Sequence, residues 1–296
     1  MSSQNRTGSR RHRVVKATAL AGAASLVLTA CVAEIPADHP VRRGWLPGNT
    51  DTTSNTAQLT DLWVNSWIAA LIVGLITWGL MLWCMVAYRR RKGETGYPRQ
   101  LAYNVPLEIM YTIIPLVMVA VLFYYTDEVQ RSVDEPYEDP DLVVNVVGKQ
   151  WAWDFNYTYN GEERHYAGIQ AHLTGEEGDQ ERLPTLYLPV DESVTFELTS
   201  RDVIHSFWIP QFLQKRDMIP GRTTEIHLTP QEEGTFDGKC AELCGEYHSE
   251  MLFNVEVVPV EEFEEHLETL DEGHLDETYD RNPNLHDDVT ATEGDD

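Results

Sequence analysis

The chain has 296 residues, more than one typical domain needs. Its 48 acidic residues against 22 basic ones give a formal net charge of −26. That balance excludes nucleic acid as a partner, because phosphate binding needs a basic surface, and it suits a cationic protein drawn in by electrostatic steering. Four cysteines are too few for a disulfide scaffold, so each needs its own explanation.

Residues 1–30 read as an export signal, with Arg10, Arg11, Arg13 and Lys16 ahead of a short apolar core at 17–30. The stretch ends Leu28-Thr29-Ala30-Cys31, which resembles the site at which bacterial lipoproteins are cleaved and lipidated. Lipidation would make Cys31 the mature N-terminus on the outer face of the membrane; the plain alternative is a signal peptide followed by a coincidental cysteine. Residues 31–61 are rich in Pro, Gly, Asn and Thr without a sustained hydrophobic period, which predicts an extracellular lead-in.

Residues 62–88 are almost uninterrupted apolar sequence, punctuated by Trp63, Trp67, Trp78, Trp83 and Tyr88. Such a stretch is long enough for the ~30 Å hydrocarbon core of a bilayer. Arg89, Arg90, Arg91, Lys92 and Arg99 follow, so the loop 89–104 is predicted to be cytoplasmic. Residues 105–125 supply a second span and complete a transmembrane hairpin over 62–125. Cys84, inside the first span, reads as a small apolar filler. Glu108 lies near the cytoplasmic end of the second span; an ionisable group there is either functional or an interfacial carboxylate reaching back to water.

An acidic, proline-containing linker is predicted at 126–141. From residue 142 to 260 the pattern becomes short β-rich runs, at 142–147, 151–159, 186–190, 193–199, 223–228 and 252–258, which predict an antiparallel sandwich or barrel. Residues 161–182 read as a polar surface loop. The remainder, 261–296, reads as an acidic tail that starts with a short amphipathic helix carrying Phe263, Leu267 and Leu270. It holds no Cys-x2-Cys-His, the haem-attachment pattern.

The chemistry concentrates in Cys240-Ala241-Glu242-Leu243-Cys244-Gly245-Glu246-Tyr247-His248-Ser249-Glu250-Met251. Thiolate and thioether favour copper, and imidazole suits it equally well. One cysteine would serve a single copper; a second one four residues away lets both sulfurs bridge two metals. Val203-Ile204-His205-Ser206-Phe207-Trp208 offers a further imidazole. A disulfide and a structural zinc held with His205 and His248 are the competing readings. The disulfide leaves His248 and Met251 unexplained, and zinc leaves Met251.

The spacing Cys-x3-Cys-Gly-x2-His-x2-Met, preceded by Val-Ile-His-Ser-Phe-Trp-Ile-Pro and by Ile219-Pro220-Gly221-Arg222, resembles subunit II of the haem–copper cytochrome c oxidases, over about residues 62–260. The resemblance implies a two-helix transmembrane hairpin followed by an all-β cupredoxin-like Greek-key barrel on the extracytoplasmic side. It implies the binuclear copper centre CuA, with Cys240 and Cys244 bridging both ions. His205 and Met251 would complete one copper; His248 and the backbone carbonyl of Glu242 would complete the other. By the same resemblance, the Glu242 carboxylate holds magnesium at the boundary with subunit I, and Glu108 stands at the entrance of a proton pathway. Trp151, first of the pair Trp151 and Trp153, would receive electrons from a c-type cytochrome, although an aromatic pair in a strand is otherwise core packing. Asp202 reads as a docking charge, while His165, His172 and His227 have no partner at metal spacing. The implied activity is electron delivery to haem in subunit I, where oxygen is reduced to water with proton pumping. The alternative is a membrane-tethered copper-binding or copper-delivery protein, for which a second span is superfluous.

Overall fold

The structure, a computed structural model, describes residues 39–97, 100–171, 173, 175, 179 and 182–275. The chain divides into two compact units, 1–45 and 46–296. Of the first, the described part is a turn at 39–45 in which the Trp45 N–H donates to the Pro40 carbonyl at 2.8 Å. Cys31, His172 and the tail from 276 onward lie outside the described residues.

In the second unit, α1 (Thr56–Ala87) and α2 (Val105–Val133) have 32 and 29 residues. At 1.5 Å per residue they run roughly 48 and 44 Å, longer than the ~30 Å hydrocarbon core. Their most apolar windows are 0% buried by protein, so this surface is left for lipid to cover. The two helices insert the chain in a membrane, and the basic loop between them marks its cytoplasmic side.

Both helices extend past their predicted ends. The helix α1 starts at Thr56 rather than 62, and the segment before it is not a loose lead-in but a strap bound to the β domain. The Glu232 carboxylate accepts from Asn49 Nδ2 at 2.6 Å and from Thr52 Oγ1 at 2.8 Å, and Asn55 Nδ2 donates to the His227 carbonyl at 2.8 Å. Side chains of Asn and Thr bonding to a carboxylate and a backbone carbonyl give no hydrophobic period, which is why the strap read only as a lead-in. The helix α2 continues to Val133, into the first half of the segment predicted as linker. Its last turns carry an i,i+4 ion pair, Asp127–Arg131 at 2.9 Å, that supports a helix continuing into water.

The β domain comprises β1 (Leu142–Lys149), β2 (Ala152–Tyr159), β3 (Glu162–Tyr166), β4 (Thr185–Pro189), β5 (Val194–Ser200), β6 (His205–Ile209), β7 (Gln214–Met218), β8 (Thr224–Leu228), β9 (Gly234–Cys240) and β10 (Leu252–Val258). A helix α3 (Val260–Glu268) and a two-residue strand β11 (Asp271–Glu272) follow. One sheet has the order β11-β3-β2-β1-β5-β8, the other β4-β10-β9-β6-β7. The pairing is not wholly antiparallel as predicted: β1 runs parallel to β5, and β4 to β10. Those non-sequential neighbours are where the chain crosses between sheets in Greek-key fashion. The expected loop at 161–182 contributes β3, and β11 pairs with that strand's free edge.

Between the sheets lies an aromatic core. Trp153 from the first sheet meets Phe207 and Phe253 from the second, with ring centroids at 5.9 and 5.1 Å. Phe207 stacks on Phe253 at 5.1 Å, and Phe196 closes the group at 5.5 Å from Phe207. Each buried ring stabilises by roughly 1.5–3 kcal/mol relative to exposure. Gly238 on β9 makes room for them: a Cβ there would strike the Phe253 ring. The helix α3 seals the opposite end, placing Phe263 against Tyr157 and Tyr159 at 6.1 and 5.3 Å.

Candidate metal centre

Three adjacent antiparallel strands assemble the site. The order β10-β9-β6 brings the start of β6, the end of β9 and the start of β10 to one edge of the second sheet. Those termini are His205, Cys240 and, just before β10, Met251. The register Phe207↔Cys240 fixes the first pair, and Cys240 N–H donates to the Met251 carbonyl at 3.0 Å. The intervening loop then carries Cys244 and His248 over the same end.

The donor atoms converge. Cys240 and Cys244 are free thiols with Sγ atoms 3.9 Å apart. Around Cys240 lie His205 Nδ1 at 3.8 Å and the Glu242 carbonyl at 3.2 Å. Around Cys244 lie His248 Nδ1 at 3.5 Å and Met251 Sδ at 3.8 Å. His205, Cys240 and Cys244 alone place their ligand atoms within 4.8 Å of one another, a group able to hold a metal ion. His205 is 0% exposed and Met251 1%; the sulfurs are buried and His248 is half-buried. Every residue expected as a copper ligand is thus brought to this one place.

The thiols polarise each other. Hydrogen bonding with Cys244 is the main effect that holds the Cys240 thiol well below the usual thiol range, and the contact with Cys240 pushes Cys244 up. A metal taking both sulfurs displaces whatever protons they hold. Burial alone would lower the His205 imidazole, but hydrogen bonds to Asp202 and Cys240 outweigh it and raise it.

Asp202 is no free surface charge. Its Oδ1 lies 2.8 Å from His205 Nε2 and accepts from Val203 N–H at 2.7 Å, while Oδ2 accepts from Gln150 N–H at 2.7 Å. Burial would raise this carboxyl, yet the bonds from His205, Gln150 and Val203 lower it. It orients His205 so that Nδ1 faces the sulfurs, the usual task of a carboxylate behind a metal-binding imidazole.

The hairpin between β1 and β2 closes the site from the other sheet. Lys149 pairs with Ala152, so Gln150 and Trp151 form a two-residue tip. The Gln150 side chain donates to the Cys244 carbonyl at 2.8 Å, and the Trp151 ring meets Tyr247 at 5.0 Å. Trp151 and Trp153 separate in role: Trp153 is fully buried in the core and 6.4 Å from the His205 ring, whereas Trp151 is half-buried at the tip. Gln150 and Tyr247 have no spacing signal in the sequence, because their role arises from contacts across sheets.

The remaining expected residues lie elsewhere. Glu108 occupies the first turn of α2, where its carboxylate accepts from Asn104 N–H at 2.9 Å while the Asn104 side chain accepts from Leu107 N–H at 3.3 Å, a reciprocal helix cap. Glu242 turns its carbonyl to Cys240 and its side chain to solvent. His165 bonds the Gly273 carbonyl at 3.1 Å, and His227 is buried against Thr195 at 3.1 Å.

A two-span membrane hairpin bearing a β-sandwich, with two thiols, two imidazoles and a thioether gathered at one end, defines a membrane-anchored metalloprotein of the extracytoplasmic face. Residues 142–258 match the family described as "Cytochrome C oxidase subunit II, periplasmic domain". A protein named "Probable cytochrome c oxidase subunit 2" from Streptomyces coelicolor is 44% identical over 247 residues, covering 75% of this chain and 77% of the relative. Its counterpart from Streptomyces avermitilis is 42% identical over the same coverage. A solved structure, the periplasmic domain of subunit II of cytochrome oxidase from Bradyrhizobium japonicum, is 32% identical, covers 44% of this chain and 94% of that one, and has a TM-score of 0.39. The chain belongs to the cytochrome c oxidase subunit 2 family, components of haem–copper terminal oxidases.

One glycine tests the fit between loop and hairpin. Gly245 has φ +132°, and a Cβ there would sit 2.9 Å from the Trp151 ring. Gly245→Ala is expected to strain the loop by about 1–3 kcal/mol. Metal affinity of the full chain should fall by roughly tenfold to a hundredfold in a chelator competition. Unchanged affinity would show that the loop tolerates the side chain.

Proposed function

We propose that this chain is the electron-accepting subunit of a cytochrome c oxidase, holding a binuclear copper centre with the six donors named above. The observation that carries the reading is the pair of unbonded sulfurs 3.9 Å apart, surrounded by two imidazoles, a thioether and a backbone carbonyl. A thiolate–metal bond is about 2.3 Å, so two bonds span more than the sulfur separation, and a metal on either side of the pair can touch both sulfurs. The thioether of Met251 favours copper over zinc. When bound, the copper pair supplies one-electron storage between a donor outside and an acceptor in the membrane.

The chain's own groups do the rest. Both sulfurs, His205, His248, Met251 and the Glu242 carbonyl hold the metals; Asp202 and Gln150 fix the loops that present them. Trp151, at the exposed hairpin tip beside Tyr247, is the point where electrons arrive from a c-type cytochrome. The acidic chain favours a cationic donor. The Glu242 side chain, free of the copper cage, holds magnesium together with groups of subunit I. Glu108, a helix cap at the cytoplasmic end of α2, marks where protons enter. The mature N-terminus is a lipidated Cys31.

The copper assignment is tested by electron paramagnetic resonance of the purified oxidase: one unpaired electron should spread over two copper nuclei. Cys240→Ser and Cys244→Ser should each abolish that signature, while a spectrum of a single localised copper would refute the assignment. Glu108→Gln should slow turnover severalfold with the copper spectrum intact, since the two sites lie on opposite sides of the membrane. Unchanged turnover would leave Glu108 as a helix cap alone. The mass of the mature chain should correspond to a start at Cys31 plus lipid; an unmodified start elsewhere removes that anchor.

A further inference from the structure

A cluster of buried charges lies directly beneath the hairpin tip, outside the ligand set. Asp154, 1% exposed, accepts from Lys149 Nζ at 2.6 Å, from an Arg201 guanidinium N–H at 3.0 Å and from Gly168 N–H at 2.9 Å. The Lys149 and Arg201 side chains are themselves 11% and 7% exposed. Three segments thus meet on one carboxylate: the end of β1, the loop that leads into His205, and the chain after β3.

The position of these charges is what gives them a task. Lys149 immediately precedes Gln150, and Arg201 immediately precedes Asp202. Gln150 N–H donates to the Asp202 carboxylate at 2.7 Å, and the other oxygen of that carboxylate lies 2.8 Å from His205 Nε2. Arg201 N–H extends the sheet onto the Gly148 carbonyl at 2.9 Å, and Gly148 packs so closely on His205 that a Cβ there would lie 3.1 Å from its ring. On the third side, a Cβ at Gly168 would collide with the Trp153 carbonyl, so that segment presses on the strand rising from the tip. A buried ion pair is a poor device for stability, since well-packed apolar residues of similar size often do as well or better. Its directional bonds do fix geometry, and here they tie Lys149 and Asp154, on the two strands that flank the Gln150–Trp151 tip, to each other and to Arg201.

We propose that Lys149, Asp154 and Arg201 form a buried ionic clamp that positions the Gln150–Trp151 tip against the metal loop. These are positioning residues, acting through Trp151. The inference rests on the reading of Trp151 as the point where electrons enter. With the clamp intact, the indole is held between Gly245 and Tyr247 in one orientation. Without it, the strand ends that carry the two-residue tip lose their shared carboxylate.

The test uses the assembled oxidase with Asp154→Asn, Arg201→Lys, Arg201→Gln and Trp151→Gln. Electron transfer from reduced cytochrome c is followed by stopped flow at saturating donor and expressed per copper centre counted by its resonance signal. Asp154→Asn and Arg201→Gln should slow transfer per centre by roughly tenfold or more, given how steeply rates fall with small misplacements. The concentration of donor giving half-maximal rate should stay unchanged, and Arg201→Lys should retain most of the rate. A merely structural cluster would lower copper yield or Tm but leave the rate per loaded centre intact, and that outcome overturns the proposal. If Asp154→Asn fails to load copper, Lys149→Gln, which keeps Arg201 on Asp154, is judged by the same readout. Hydrogen exchange of the 149–153 amides is measured alongside. If Trp151→Gln transfers normally, the entrance reading fails, and the clamp is judged on exchange alone: faster exchange in the Arg201→Gln variant upholds it and unchanged exchange refutes it.

Discussion

The metal end depends on one constraint: His205, Cys240 and Met251 must end up side by side although 46 positions separate the first from the last. Three antiparallel strands meet it. Because β6, β9 and β10 alternate in direction, the start of one, the end of the next and the start of the third fall on the same edge. A one-residue slip of β9 would turn Cys240 away from the other donors, since side chains alternate across a strand. The register is locked by the aromatic core just behind it, where Phe207 and Phe253 flank β9 and stack through the space left by Gly238. Core packing and ligand placement are therefore one problem with one solution.

The second layer of control is polar. Asp202 sets the direction of His205, and Gln150 bridges Asp202 to the Cys244 carbonyl, so the two sheets are stitched together across the site. These groups are already satisfied by protein hydrogen bonds, which preorganises the donor cage rather than leaving the metal to assemble it. A preorganised cage changes little when charge arrives or leaves, and that is the property an electron carrier needs.

The donor cluster was legible because most of it is local: Cys240, Cys244, His248 and Met251 lie within twelve residues of sequence. The membrane helices were legible from composition, except at their ends. Helix α2 leaves the apolar window without breaking, and the strap before α1 is built from side-chain bonds to Glu232 and His227 that carry no period. Strands β6 and β7 were missed because each has only five residues, and β7 is polar at four of them; β9 alternates inward and outward, but its inward positions after Phe236 are Gly238 and Cys240, which carry little apolar signal. The Lys149–Asp154–Arg201 cluster was invisible because its members come together only when β1, β2 and the end of β5 meet.

The same geometry ties the metal end to the bilayer. The first residue after α2, Asp134, pairs with Arg216 on β7. Arg216 stands opposite Phe207 in the β6–β7 register, and His205 stands opposite Met218. The top of one membrane helix is thereby joined through a single hairpin to the strand that carries a ligand. At the other helix, Asn55 and the Glu232 strap hold the start of α1 to the β8–β9 side of the same sandwich. Two independent ties, one per helix, resist hinge motion that a single tether would allow. A centre that must pass electrons to an acceptor in the membrane needs its height above the bilayer fixed, and the paired ties supply that through hydrogen bonds and an ion pair within the chain itself.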